Sequence, residues 1–233
     1  MREAADPPRF DPPTDVLFAA AFAPELASFD PPLASVGEGR IGNVRVAART
    51  VGVGLVASAA GAAATLVRRR VRAVVLLGTC GAYPGSNLAI DQVVVSRVIT
   101  LVDPAVLAGS MHFPGPMQTR IDSHGPLGDA LAQCGAQPAD VATTLAVTVD
   151  DAAAGHIGQV SGASVEHLEA FAVAIACANA NVPFAALLGV ANTVGSRGRD
   201  EWRVHHSSAA ARAVRIAVRW IEDGAGGLPN EHR

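Results

Sequence analysis

The stretch from Ser164 to Asn192 constrains the fold most, because a helical pattern there runs directly into a short apolar segment. Ser164 is a favourable helix N-cap, and the acids Glu166 and Glu169 suit a first helical turn. Apolar residues then recur at helical spacing until Pro183 ends the helix. The following run, PFAALLGVAN, is too short for another helix and predicts a buried strand that ends at Asn192. Helix and buried strand together predict an α/β domain with its ligand site at strand carboxyl ends.

Two more strands are predicted to end in residues suited to a site. Residues 15–22, DVLFAAAF, form the first predicted strand, and residues 73–77 lead into Gly78-Thr79-Cys80-Gly81. Between them, a strand over residues 43–51 enters Gly52-Val53-Gly54 and an alanine-rich helix that ends near residue 70. The glycines fit a dinucleotide fingerprint, which also needs an acid at the end of the next strand. That strand ends in glycine and threonine instead, so the sequence predicts no nicotinamide cofactor.

Alternating strands and helices predict a three-layer α/β/α sandwich with a mixed central sheet. We expect one domain over residues 14–222, preceded by a flexible proline-rich segment (1–13) and followed by a flexible tail (223–233). Residues 101–140 hold many glycines and prolines and predict loops around the site. A strand is predicted over residues 141–149, and His206 to Ile221 form the last predicted helix.

Composition excludes several classes of protein. Half of the residues are hydrophobic and the net charge is −3, so the sequence favours a large core over a nucleic-acid or membrane surface. Three scattered cysteines make no disulfide framework and favour the cytoplasm. No apolar run approaches the roughly 20 residues that span a bilayer. A signal peptide ending near Ala23 is disfavoured, because the segment before it is acidic and rich in proline.

The stretch described first resembles a signature of the purine nucleoside phosphorylase and nucleosidase superfamily. It carries Leu168-Glu169 at the helix, then the NVPF motif, then Ala191-Asn192 at the strand end. The resemblance implies that Glu169 binds the ribose hydroxyls and that Asn192 contacts the purine. The following TVGSRGRDEW is similar to the loop of futalosine hydrolases, a menaquinone-pathway branch. Two positions depart from the family: Leu168 replaces a methionine, and His167 stands where many relatives carry another glutamate.

The same resemblance implies the other site residues. Glu25, just past the first predicted strand, corresponds to the glutamate that activates the attacking water, although an acid there also suits a helix start. The turn at Gly54 brings the helix start close to the site, and the Gly78–Gly81 segment lines the ribosyl pocket. Cys80 is better explained as a small buried hydrophobe than as a nucleophile. The predicted catalytic residues are Glu25 and Asn192, and the predicted substrate-binding residues are Gly54, Thr79, Cys80, Gly81, His167, Leu168 and Glu169.

The implied reaction is hydrolysis of a purine N-ribosidic bond without metal or organic cofactor. Phosphorylases of this superfamily hold phosphate with an arginine where this chain has Leu76-Leu77, so water is the favoured nucleophile. Asn192 favours a 6-oxo base such as the hypoxanthine of futalosine. A methylthioadenosine-type nucleosidase, a phosphorylase and an inactive nucleoside-binding module remain alternatives. The resemblance and composition also predict a homodimer or larger homo-oligomer.

One expected contact is missing from the sequence. Relatives place a base-stacking phenylalanine after the strand predicted to end at residue 149, where this chain has Ala152 and Ala153. The stacking aromatic must therefore come from elsewhere, and the candidates are Phe113, Phe171 and Trp202.

Overall fold

A computed structural model describes residues 13–30, 33–34 and 36–230 of the chain. The N-terminal segment predicted to be flexible lies outside the described residues except for Pro13, as do the last three residues of the predicted tail. The strands are β1 (Thr14–Ala20), β2 (Gly37–Ile41), β3 (Val44–Thr50), β4 (Val71–Ala82), β5 (Val93–Leu101), β6 (Arg120–Asp122), β7 (Gln137–Thr143), β8 (Val165–Glu166) and β9 (Phe184–Thr193). The α-helices are α1 (Leu55–Arg68), α2 (Pro104–Leu107), α3 (Gly125–Gln133), α4 (Asp151–Ser161), α5 (Ala170–Asn179) and α6 (Gly198–Glu222), and a short 3₁₀ helix spans Ala23–Leu26.

All nine strands of the described chain belong to one mixed sheet, eight of them in the order β2-β3-β1-β4-β8-β7-β5-β6. Strand β9 pairs in parallel with β4 and antiparallel with β5. Strand β1 lies parallel to β4, so β1, β4 and β9 all end at the same edge of the sheet. This edge is where an open α/β sheet places its ligand.

The two faces of the sheet are buried under different helices. In β1, Val16 and Phe18 point into a core shared with α3 and α6, which includes Trp220. Leu17, between them, points into the opposite core, where Phe171 of α5 also lies. Alternate residues of a strand face opposite sides of a sheet, so burial on both sides explains the continuous apolar runs. The predicted three-layer α/β/α sandwich with a mixed sheet is therefore confirmed.

Several predicted element bounds were wrong. Strand β4 does not stop at Leu77 but continues to Ala82, because both of its edges are paired there, with β8 and with β9. Residues 37–41 belong to the segment 30–42, whose prolines and glycines predict a loop, but they form β2 along the free edge of β3. Residues 101–140, also predicted as loops, contain α2, α3, β6 and the start of β7. Their glycines and prolines lie at helix starts and turns, for example Pro126 near the start of α3.

The C-terminal third also differs from prediction. Helix α6 begins at Gly198 rather than at His206, so half of the expected polar loop is helical. Two carbonyls of the described tail accept hydrogen bonds from the domain: that of Gly226 from Trp220 Nε1 at 2.9 Å, and that of Pro229 from Arg72 Nε at 3.0 Å. These bonds pack the described part of the tail against the domain. No helix among the described residues is long and apolar enough to cross a membrane.

Candidate active site

A cavity of about 450 Å³ opens at the carboxyl ends of β1, β4 and β9. Its lining brings together residues that lie far apart in the sequence, from Ala21 to Trp202. Eight of the nine predicted site residues contribute to it: Glu25, Thr79, Cys80, Gly81, His167, Leu168, Glu169 and Asn192. The ninth, Gly54, lies behind this lining and bonds to one of its members.

Glu25 lies in the 3₁₀ helix that follows β1 and turns its carboxylate back toward the sheet. Its Oε2 accepts a hydrogen bond from the backbone N–H of Ala21 at 2.9 Å, and Oε1 accepts one from that of Thr79 at 3.2 Å. The residue is only 6% exposed. Two neighbouring strand ends therefore fix a buried carboxylate at the cavity wall.

The surroundings of Glu25 favour its protonated form. Burial, followed by the negative charge of Glu169, raises the pKa of Glu25 to about 8, and the backbone hydrogen bonds offset only part of this effect. A carboxyl group with a pKa near neutrality is suited to exchange a proton with a reacting water.

Glu169 occupies the N-cap position of α5, and a distant glycine turn holds its carboxylate. Oε1 accepts a hydrogen bond from the backbone N–H of Gly54 at 2.7 Å. Gly54 has φ +81°, a conformation that favours glycine, and it directly precedes α1. The Gly-Val-Gly turn thus supplies an amide that orients the second acid of the cavity.

His167 caps α5 from inside the site. Its Nδ1 accepts hydrogen bonds from the backbone N–H groups of Glu169 at 3.2 Å and Ala170 at 3.1 Å. Burial lowers the pKa of the His167 imidazole, so the ring is neutral and carries its proton on Nε2. The predicted N-cap at Ser164 was wrong, because residues 165–166 pair with β4 and β7 as β8 and the helix begins only afterwards.

The Thr79–Gly81 segment of β4 forms the floor of the cavity. Thr79 Oγ1 accepts a hydrogen bond from Trp202 Nε1 at 3.1 Å. Burial raises the pKa of the Cys80 thiol, which agrees with a small buried side chain rather than a nucleophile. A side chain at Gly81 would place its Cβ 2.8 Å from Asn192 Nδ2. Glycine at this position leaves room for the carboxamide.

Asn192 lies near the end of β9, opposite Gly81 in the register of the two strands. Its Nδ2 donates a hydrogen bond to the carbonyl of Thr193 at 2.9 Å. The backbone N–H of Thr193 in turn donates to Glu201 Oε2 at 2.7 Å, which ties the strand end to α6. The carboxamide is thereby held at the cavity wall.

Aromatic side chains form one wall of the cavity. Trp202 stacks on His206 with ring centroids 4.4 Å apart, and Phe22 lies 6.5 Å from Trp202. Of the three predicted stacking candidates, only Trp202 lines the cavity, and Phe171 is buried in the core. Phe22 was not among the predicted site residues, although its position at the end of the predicted strand over residues 15–22 was a usable signal.

The loop between β7 and α4 was not predicted to line the site either. The predicted strand over residues 141–149 was wrong: β7 ends at Thr143, and the following loop lines the cavity with residues 147–149. Glu166 holds this loop, since it accepts hydrogen bonds from Thr148 N at 3.0 Å, Thr148 Oγ1 at 2.6 Å and Tyr83 Oη at 3.0 Å. Glu166 is therefore a buried anchor and not a first-turn helix acid.

Comparisons with known proteins point to one group. No family model matches the chain. The chain is 31% identical over 188 residues to futalosine hydrolase of Thermus thermophilus, covering 76% of this chain and 82% of the relative. Its fold is similar to a 5′-methylthioadenosine/S-adenosylhomocysteine nucleosidase from Colwellia psychrerythraea in complex with adenine (TM-score 0.79, 17% identity, 94% of this chain and 99% of that chain). It is also similar to native futalosine hydrolase of Helicobacter pylori (TM-score 0.79, 14% identity, 90% and 98%).

Proposed function

Because the chain belongs to the futalosine hydrolase branch of the purine nucleoside phosphorylase and nucleosidase superfamily, we propose that it releases hypoxanthine from futalosine by hydrolysis. Hydrolysis of a purine N-ribosidic bond is the activity of this group, and the chain is an N-glycosyl hydrolase. The observation that supports the assignment best is the convergence of Glu25, Glu169 and Asn192 on one cavity.

Glu25 is the proposed general base. Water attacks C1′ of the ribose while the C1′–N9 bond breaks, and the sugar passes through an oxocarbenium-like state. The oxygen of the water bonds to C1′, its proton passes to Glu25, and the purine leaves with the bonding electrons and takes a proton from solvent. The bonds from Ala21 and Thr79 hold the carboxylate in place before the substrate arrives.

Glu169 is the proposed ribose ligand. One of its oxygens is committed to the Gly54 amide, and the other lies beside His167 at the cavity wall. A carboxylate accepts strong charge-assisted hydrogen bonds from hydroxyl groups, so it can fix the sugar with C1′ facing Glu25. Thr79, Cys80, Gly81 and Leu168 complete the proposed ribose pocket, and Gly54 supports it from behind.

Asn192 is the proposed base ligand. One hydrogen of its NH₂ group goes to the Thr193 carbonyl, so the other can donate to N7 or to a 6-oxo group, whereas a 6-amino group would meet it with another donor. This pattern supports futalosine over a methylthioadenosine-type substrate. Trp202 and Phe22 are proposed to contact the rest of the nucleoside.

Water is the proposed nucleophile rather than phosphate. Leu76 and Leu77, at the position where phosphorylases of the superfamily carry an arginine, are fully buried inside the sheet. A hydrocarbon core offers no charge to balance a phosphate dianion.

We further propose a cytoplasmic homodimer or larger homo-oligomer. Val53, Val147 and Val149 line the cavity yet are 61%, 63% and 66% exposed, so its rim is apolar. A second copy of the chain would cover such a rim. The three buried cysteines are free thiols, which agrees with a reducing compartment. Light scattering after gel filtration measures the assembly, and a Val147→Asp variant is expected to shift it toward monomer.

A base-release assay over a panel of nucleosides tests the function. Futalosine, inosine, adenosine and methylthioadenosine are each incubated with the enzyme, with and without phosphate, and the free base is separated and quantified. We expect hypoxanthine from futalosine at a rate that does not depend on phosphate. Release only in the presence of phosphate would identify a phosphorylase, and nucleoside binding without release would identify an inactive binding module.

A further inference from the structure

His167 lies between the carboxylates of Glu25 and Glu169 in the cavity. Its Nδ1 is 3.4 Å from Glu169 Oε2 on one side. On the other side, its Nε2 and Glu25 Oε1 lie 3.3 Å and 2.8 Å from the point that a Cβ on Gly78 would occupy. The imidazole therefore links the start of α5 to the gap above Gly78 that borders Glu25.

Hydrogen bonding fixes which nitrogen of His167 carries the proton. Nδ1 accepts from two backbone N–H groups, at Glu169 and Ala170, so it cannot be protonated. The proton of the neutral ring is on Nε2, and its contact with Glu169 Oε2 is not an ion pair. The side chain is a rigid donor whose direction the helix start determines.

No hydrogen bond from Nε2 is formed among the residues that the structure describes, and His167 lines the cavity, so this N–H is open to water there. Buried polar groups are generally hydrogen-bonded, to protein or to water. On the Nε2 side, the acceptor Glu25 Oε1 lies across a gap that borders the same Gly78 Cβ position. Two hydrogen bonds of about 2.8 Å each allow one water molecule to bridge such a gap.

We propose that His167 is a positioning residue for the catalytic base: its Nε2–H, through one water above Gly78, hydrogen-bonds Glu25 and holds the carboxylate toward the attacking water. This role rests on the proposed function of Glu25. A side chain at Gly78 would place its Cβ 2.8 Å from Glu25 Oε1 and 3.3 Å from His167 Nε2, so glycine there leaves both groups unobstructed.

Two substitutions of His167 distinguish the capping role of Nδ1 from the donor role of Nε2. In His167→Asn, the carboxamide oxygen replaces Nδ1 and still caps α5, since asparagine is among the best capping residues, but nothing reaches the gap. In His167→Gln, the longer side chain places an NH₂ donor near the former Nε2 and gives up the cap. His156→Asn, at an exposed site on α4, is the matched control.

Steady-state hydrolysis and thermal unfolding are measured for all four proteins. We expect H167N to keep a near wild-type Tm and KM while kcat falls about 10- to 100-fold, the cost of a misplaced catalytic group. H167Q is expected to have the lower Tm and yet recover part of the lost kcat. A purely structural His167 would reverse this order, with H167N fully active and H167Q slow in proportion to its lost stability.

The outcomes distinguish this role from the function on which it rests. A wild type that releases no base would defeat the proposed function, whereas an active wild type with an equally active H167N would defeat only the role of His167. If H167N does not fold, H167Q decides: a folded variant with kcat within about tenfold of wild type supports the donor role, and one as slow as Glu25→Gln overturns it.

Discussion

The carboxyl groups of Glu25 and Glu169 face the same cavity, and their proximity contributes to the protonation of Glu25. Burial of Glu25 is the larger cause, and the charge of Glu169 adds to it, which together raise the pKa of Glu25 to about 8. Glu25 comes from a 3₁₀ helix after the first strand, and Glu169 comes from the start of α5. Two acids held by backbone amides from separate elements thus acquire different environments and different proposed roles.

The raised pKa of Glu25 predicts a basic pH dependence for the reaction. A general base acts only when deprotonated, so kcat/KM should rise tenfold per pH unit below about pH 8 and level off above it. The profile is measured from pH 5.5 to 9.5 with intact protein confirmed by circular dichroism at each point. A profile that is flat across this range, or one that already levels off below pH 6, would contradict the proposed role of the group.

The same pKa predicts how Glu25 affects stability. The unfolded carboxyl loses its proton near pH 4.5, whereas the folded one keeps it to about pH 8, so the unfolded state binds fewer protons in this window. Stability contributed by the neutral group is therefore lost as pH rises. Glu25→Gln cannot ionise. As the pH rises from 5 to 9, its free energy of unfolding should therefore increase relative to that of the wild type, by at most about 5 kcal/mol. Urea unfolding at both pH values measures the difference, and an equal effect of the substitution at both would contradict it.

Glu169→Gln should reduce activity while the fold survives. The amide retains an oxygen for the Gly54 N–H but loses the charge that strengthens its bonds to the ribose hydroxyls. A net loss of about 1.5–3 kcal/mol per charged hydrogen bond corresponds to roughly 10- to 100-fold in kcat/KM. Glu222→Gln, at an exposed end of α6, is the control. A variant with wild-type kinetics and slightly reduced stability would mark Glu169 as a helix-start acid only.

Asn192→Asp should change the preference for the base. The carboxamide is predicted to favour 6-oxo purines, and a carboxyl group can instead give a proton to N7 of a departing adenine. Discrimination by an unpaired polar group can reach about 10⁴. The ratio of kcat/KM for inosine-type and adenosine-type substrates is measured in both proteins. A wild type that prefers adenine, or a kcat/KM ratio that the substitution leaves unchanged, would show that Asn192 does not determine the preference for the base.

The sequence was sufficient for the parts of the fold that depend on local pattern. The continuous apolar runs of β1 and β9 identify strands buried on both sides. Glu25, just after β1, and Asn192, near the end of β9, do converge on one cavity with Glu169. Their catalytic and binding roles stay predictions.

Features that depend on distant contacts were not predictable in the same way. Glu166 resembles a first-turn helix acid by sequence, yet it is buried by bonds to Tyr83 and Thr148, 83 and 18 positions away. The alternating Leu145, Val147 and Val149 resemble a strand, but all three are exposed in a loop, because strand pairing with β8 and β5 ends near Thr143. Local spacing carries no information about which partner a buried polar group will find.

Single-turnover release of hypoxanthine from futalosine, without phosphate, by wild type and Glu25→Ala tests the mechanism most directly. Enzyme in excess over substrate reports the chemical step, and calorimetric titration reports binding to each protein. We predict hydrolysis by the wild type and a rate roughly 10² to 10⁴ lower for Glu25→Ala, with nucleoside affinity changed far less. An unchanged rate in Glu25→Ala, or equal losses of rate and affinity, would contradict a catalytic role for Glu25.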